Sequence, residues 1–115
     1  MTTYAAPVRD MQFVLHDVLQ ISQQDIPDYG DLDRDFTQAV LEAAGKLGSE
    51  VLAPLNAVGD RQGCRLENGV VRTPDGFRAG FELMREGGWT ALDCDPAYGG
   101  QGLPHLIALA ASEVF

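Results

Sequence analysis

The chain has 115 residues, enough for one domain with a single core but not for a large catalytic architecture. Hydrophobic residues make up 45% and charged residues 22%, a globular balance that argues against disorder. The net charge of −9 repels a phosphate backbone, which argues against nucleic-acid or anionic-membrane partners. The apolar stretches are too short to span a bilayer. The opening MTTYAAPVRD also lacks a basic segment followed by an apolar core, so the expected location is cytoplasmic.

Residues 9–21 place Met11, Val14, Leu15, Val18 and Leu19 on one helical stripe, with Arg9, Gln12, His16, Asp17 and Gln20 mostly on the other faces. SQQDIPDYGD then breaks the pattern at Pro27 and Gly30. Residues 1–30 therefore read as an extension helix and linker, and residues 31–115 as the helical domain proper. A second helix is expected from about Asp33 to Leu52. Asp31, Asp33 and Asp35 suit its positive N-terminal end, and Leu32, Phe36, Val40, Ala43, Leu47 and Val51 form its apolar face. Gly45 and Gly48 weaken it and mark a close approach, and Pro54 is expected to close it.

In CRLENGVVRTP, residues 64–74, Asn68-Gly69 predicts a type I′ hairpin with strands of about three residues, a flap on a helical body. Thr73, Pro74 and Asp75 read as the first residues of a third helix, with Phe77, Phe81 and Met84 inward and Gly87-Gly88 ending it before Trp89. Between Arg61 and Arg85 five arginines meet nearby acids in a mixed, solvated face. A fourth helix begins near Pro104, with Leu106, Leu109, Ala110 and Val114 in its pattern. It shows no C-terminal cap, which predicts a helix interrupted by the end of the sequence.

Cys64 and Cys94 lack a CxxC context and read as small, half-buried residues. His16 and His105 have no partner at ligand spacing, so neither reads as metal-binding or catalytic. The stretch DPAYGGQGLP, residues 95–104, invites a phosphate-cradle reading. Its Gly99, Gly100 and Gly102 lack the G-x-G-x-x-G spacing, no Lys-Ser/Thr follows, and Pro104 removes a donor from the next helix. A structural corner is the better reading, with Gly99 and Gly100 permitting unusual φ.

In order along the chain come Gly69-Val70, Pro74, Gly88-Trp89, Tyr98-Gly99-Gly100, Gly102 and Pro104, then a helix ending in SEVF. This series resembles the N-terminal helical domain of the acyl-CoA dehydrogenases. The opening YAAPVRDMQFVLHDVL is similar to the larger members of the 3-methylmercaptopropionyl-CoA dehydrogenase-like branch, which carry an extra N-terminal helix. Ala97 departs from the acidic residue often found before the Tyr and is expected at the surface.

The resemblance implies an all-α fold of about four helices with one short flap. It also implies a parent enzyme that oxidises an acyl-CoA thioester to the trans-2-enoyl-CoA, a glutamate taking the α-proton while FAD accepts the hydride. Electron transfer flavoprotein, the remaining dehydrogenase domains and a homo-oligomeric assembly are the implied partners. The resemblance places the catalytic glutamate and most flavin contacts outside these residues. No catalytic, cofactor-binding or metal-ligating residue is therefore assigned here, and Glu113 is read as helix surface or a structural ion pair. The alternative is a stand-alone helical interaction module that binds through the exposed face of its last helix. Both readings leave the isolated chain without dehydrogenase activity.

Overall fold

The computed structural model describes residues 3–115; Met1 and Thr2, the first residues of the expected extension, lie outside the described residues. The order is α1 (Val8–Gln12), α2 (Arg34–Leu47), α3 (Ala53–Gln62), β1 (Arg65–Glu67), β2 (Val70–Arg72), α4 (Phe77–Glu86) and α5 (His105–Ser112). The predominantly helical fold with one short flap is as expected.

α1 runs on into a π-helical stretch, Phe13–Val18, where the Leu19 N–H donates to the Val14 carbonyl at 2.9 Å. A bond spanning five residues instead of four rotates the inward face. Met11 and Leu15 are buried as expected, but Val14 and Val18 are 46% and 59% exposed and Leu19 is exposed as well. Gln12 and His16, expected on the outer faces, are buried instead. The helix ends at Gln20, in the left-handed region at φ 49, before Pro27 is reached. Ile21, fully buried, then pulls the linker back onto the core.

The Asp33 carboxylate caps α2 by accepting from the Phe36 N–H at 2.8 Å, and Asp35 follows in the first turn. Pro54 does not close this helix. A π-helical stretch, Gly48–Leu52, leads directly into α3, and helical backbone continues from Arg34 to Gln62. In α-geometry the ring of Pro54 would meet the carbonyl of Glu50 four residues back. Glu50 lies in the wider π turn, and Pro54 occupies the first turn of α3, so the collision is relieved.

The buried face of α2 is Thr37, Leu41, Ala44 and Gly45, continued by Gly48. The expected stripe lies one residue away: Phe36 and Ala43 are exposed and Val40 half-buried. Small residues hold this face because neighbours come very close. A Cβ on Gly45 would stand 3.0 Å from the Ala6 Cβ, and one on Gly48 would stand 2.7 Å from Val114 Cγ1. The close approach expected at both glycines is therefore present.

The hairpin forms as expected, Asn68 and Gly69 turning at φ 51 and 76, with Leu66 paired to Val71 and Arg65 to Arg72. Thr73 does not cap α4. Pro74 and Phe77 close a turn in which Gly76 adopts φ 84, and the helix begins only at Phe77. Gly80 lets α4 approach Leu55 of α3, where a Cβ would stand at 2.8 Å, and Phe77 lies against Gly59 in the same way. Phe81, expected inward, sits beside this contact row and is exposed. In α5 the buried residues are Ile107 and Ala111, with Val114 just beyond, whereas Leu109 of the expected stripe is exposed.

The core is Met11, Leu15, Ile21, Leu32, Leu41, Ala44, Leu92, Ile107, Ala111 and Val114. It gathers α1, Ile21 and Leu32 of the linker, α2, Leu92 ahead of the corner, and α5 with Val114. α3 contributes no fully buried residue and α4 only Gly80. The shape is correspondingly flat, 54 × 37 × 17 Å.

Glycine substitutions discriminate two kinds of position. A Cβ on Gly100 would lie 2.0 Å from the Cys94 carbonyl oxygen, a backbone atom that cannot step aside, whereas one on Gly30 meets nothing within 4 Å. Gly100→Ala is expected to destabilise by more than ~2 kcal/mol in thermal melts. Gly30→Ala is expected to be neutral or stabilising by up to ~1 kcal/mol.

Candidate functional site: the glycine-rich corner and the groove beside the last helix

The corner is built around Asp95. Its side chain accepts from the Ala97 N–H at 2.8 Å, opening the short 3₁₀ turn Pro96–Tyr98. The left-handed positions are Gly99 at φ 88 and Gly102 at φ 67. Gly100 has no positive φ; its glycine is required by the approach to Cys94. The N–H groups of residues 97–103 are all used internally. Tyr98 and Gly100 donate to the Asp95 carbonyl and Gly99 to Pro96; Gln101 donates to Ala91, Gly102 to Cys94 and Leu103 to Leu92. A phosphate would find no free donor at residues 97–103, so this stretch is structural.

A side-chain pair fastens it. His105, the first residue of α5, directs Nδ1 at the Asp93 carboxylate. The carboxylate can only accept, so Nδ1 carries the hydrogen. This bond, followed by one within the Asp93 backbone, holds the Asp93 carboxyl below its ordinary pKa. The pair ties the turn after α4 to the start of α5, which aims the last helix.

α5 and α1 enclose an apolar groove of about 370 Å³, lined by Val14, Leu15, Leu19, Leu106 and Leu109, with Asp10 and Glu113 among its walls. Val14, Leu19 and Leu109, expected to face the core, line this groove instead. Glu113 is exposed at the end of α5, with no ion-pair partner among the described residues. The groove therefore suits an apolar chain or helix, and its lining includes no hydroxyl, thiol or imidazole.

The other buried chemistry lies between α1 and α2. Gln12 donates through Nε2 to the Arg34 carbonyl at 2.9 Å, leaving Oε1 to accept from the Thr37 hydroxyl at 2.6 Å. Thr37 Oγ1, its hydrogen committed, accepts from His16 Nε2 at 2.8 Å. This network replaces the solvent-facing role expected for Gln12 and His16. Burial lowers the His16 pKa below its usual value, and the Arg34 guanidinium adds to the effect against the opposing pull of Asp17 and Asp33. Cys64 and Cys94 are both exposed, correcting the half-buried expectation, and neither forms a disulfide. Among the described residues no group of three His, Cys, Asp or Glu side chains could hold a metal ion. No helix among them is long and apolar enough to cross a membrane.

Over 113 residues the chain is 37% identical to 3-methylmercaptopropionyl-CoA dehydrogenase of Ruegeria pomeroyi, a match covering 97% of this chain and 19% of that protein. The chain is homologous to acyl-CoA dehydrogenases. A second relative, the broad-specificity linear acyl-CoA dehydrogenase FadE5 of Mycobacterium tuberculosis, is 28% identical over 116 residues, covering 98% of this chain and 19% of the relative. The chain thus corresponds to about a fifth of the length of these dehydrogenases. No protein-family model matches it. Both dehydrogenase matches run through α1 as well as through the hairpin and the corner.

The buried imidazole makes a pH prediction. A pKa lowered on folding means that the unfolded chain binds the proton more readily than the native one. Stability linked to His16 is complete above about pH 6.5 and falls as the pH drops below that value. His16→Gln retains an N–H donor for Thr37 but does not titrate. Its melting temperature is expected to decline less than the parent's between about pH 7 and 5 in parallel thermal scans.

Proposed function

We propose that this chain forms the N-terminal helical part of an FAD-dependent acyl-CoA dehydrogenase that converts an acyl-CoA thioester to the trans-2-enoyl-CoA. The observation that carries the reading is the 37% identity sustained over 97% of the chain to a dehydrogenase acting on an acyl-CoA. The hydrogen-bonded corner and the hairpin, both present in the fold, are the features on which the sequence resemblance rests.

In this reading the chain's work is positional. The corner and the Asp93–His105 pair aim α5, and the groove beside α5 supplies apolar surface to the acyl region or to the domain that encloses it. FAD and the base that removes the α-proton belong, in this reading, to the remaining domains. Electron transfer flavoprotein is the expected electron acceptor, and the cytoplasm the expected compartment.

The first experiment is to immunoblot an extract of the source organism with an antibody to this segment, then purify the polypeptide that carries it. A protein far larger than 12.4 kDa, with a flavin spectrum bleached by an acyl-CoA, is the expected result. A band near 12.4 kDa with no larger species would overturn it and favour the interaction module. In the flavoprotein, Glu113→Gln is expected to keep turnover within about twofold of the parent, whereas loss of a true general base costs ~10²–10⁴. A loss in that larger range would place Glu113 at the reacting carbon.

A further inference from the structure

The tip of the hairpin sets a carboxamide beside an unshielded backbone nitrogen. Asn68 and Gly69 lie outside the ladder, which ends at the pair of Glu67 with Val70. Both are exposed, with φ 51 and 76, and a Cβ on Gly69 would meet nothing within 4 Å. Among the described residues no backbone carbonyl accepts from the Gly69 N–H. The Asn68 side chain, an electrophile at Cγ, therefore neighbours a nitrogen that no backbone hydrogen bond holds and no side chain covers.

Little keeps the two apart. The strands are three residues each with none buried, and so short a hairpin has little stability of its own. Opening of such a segment lies at the low end of the range of local unfolding energies. The chain's other asparagine, Asn56, is also exposed, but it sits within α3 and is followed by Ala57. There helical backbone fixes the following nitrogen and a Cβ flanks it. The two asparagines thus differ in backbone setting and not in access to water.

We propose that Asn68 is a site of spontaneous deamidation through a cyclic imide. The Gly69 nitrogen gives its proton to solvent hydroxide and bonds to Asn68 Cγ. The bond from Cγ to the side-chain nitrogen breaks, and that nitrogen takes a proton and leaves as ammonia. Water then opens the imide. Cleavage of the new Cγ–N bond gives aspartate on an unaltered backbone. Cleavage of the original peptide bond gives isoaspartate, with the chain now running through Cβ and Cγ. One water is consumed and one ammonia released, with no change of oxidation state. Both products add a negative charge beside Glu67. Aspartate still suits the turn, because Asp-Gly fits type I′ geometry as Asn-Gly does. Isoaspartate lengthens the turn by one main-chain carbon, which breaks the match between loop and strand register and releases the flap. This inference is independent of the dehydrogenase reading.

Incubation of the full chain in mildly alkaline buffer, followed by tryptic peptide mass spectrometry, tests it. Cleavage after Arg65 and Arg72 isolates Asn68 in LENGVVR, cleavage after Lys46 and Arg61 isolates Asn56, and neither peptide contains glutamine. Exchange of NH2 for OH raises the peptide mass, and a sample digested before incubation sets the background. Asn68 is expected to convert at least about tenfold faster than Asn56, the ratio that a barrier difference of ~1.4 kcal/mol produces. Residues 66–72 are expected to yield two products of equal mass, only one of them cut by a protease specific for aspartate. Gly69→Ala is expected to slow the conversion even though alanine at φ 76 strains the turn, with circular dichroism confirming unchanged helix content. Equal rates at the two asparagines, aspartate without isoaspartate, or an undiminished rate in Gly69→Ala would each overturn the inference.

Discussion

The close approach of neighbouring chain segments at the C-terminal end of α2 is the constraint on which the rest of the structure depends. Thr37, Ala44, Gly45 and Gly48 have little or no side chain, so the N-terminal segment at Ala6 and Val8 and the end of α5 at Val114 can nearly touch its backbone. A larger residue at Gly45 or Gly48 would push α1 or α5 outward and open the core that Leu41, Ile107 and Ala111 close. Glycine inside a helix weakens it by about 1 kcal/mol relative to alanine. Here that local weakness is the condition for dense packing between three chain segments.

The same constraint explains why the polar network sits where it does. Thr37 is fully buried on the seam, and its hydroxyl must be satisfied there. Gln12 and His16 satisfy it from α1, making the first helix part of the core's hydrogen bonding. Every buried side-chain N and O atom among the described residues has a partner. The far half of the molecule lacks such a seam. α3 and α4 meet through Gly59, Gly76 and Gly80 in a thin layer that leaves Leu55, Phe77 and Met84 only half-buried and Phe81 exposed.

What was legible in the sequence was the set of features encoded within a few residues. Asn68-Gly69, Asp33, Gly87-Gly88 and the corner at residues 95–104 all appear where local chemistry put them. Helical periodicity found the helices but misjudged which way they face. In α1 the π turn displaced the phase, so Val14 and Val18 face out. In α2 the largest apolar residues drew the reading to Phe36 and Val40, while the real seam was lined by residues too small to register as hydrophobic. Pro54 misled because a π turn ahead of it relieved the clash that normally ends a helix. The partners of Thr37 are more than 20 positions away, and no short-range pattern announces a bond of that separation. Of the candidate site, the corner's structural role was readable from its glycine spacing. The groove beside α5 was not, since it depends on which faces α1 and α5 turn outward.

The π-helical stretch Gly48–Leu52 also fixes the relative orientation of the two halves of the molecule. Such a turn accommodates an extra residue within a helix that would otherwise be regular α. Each residue of an α-helix advances the chain by about 100°, so the extra residue sets the direction in which everything after it points. Removing one residue there would leave the core around α2 and α5 in place. It would swing α3, the hairpin and α4 about the rod to a different side of the molecule. Chain length at this one turn therefore acts as an angular setting between the packed half and the exposed half, and related sequences that differ by a single residue there would present the hairpin in a different direction.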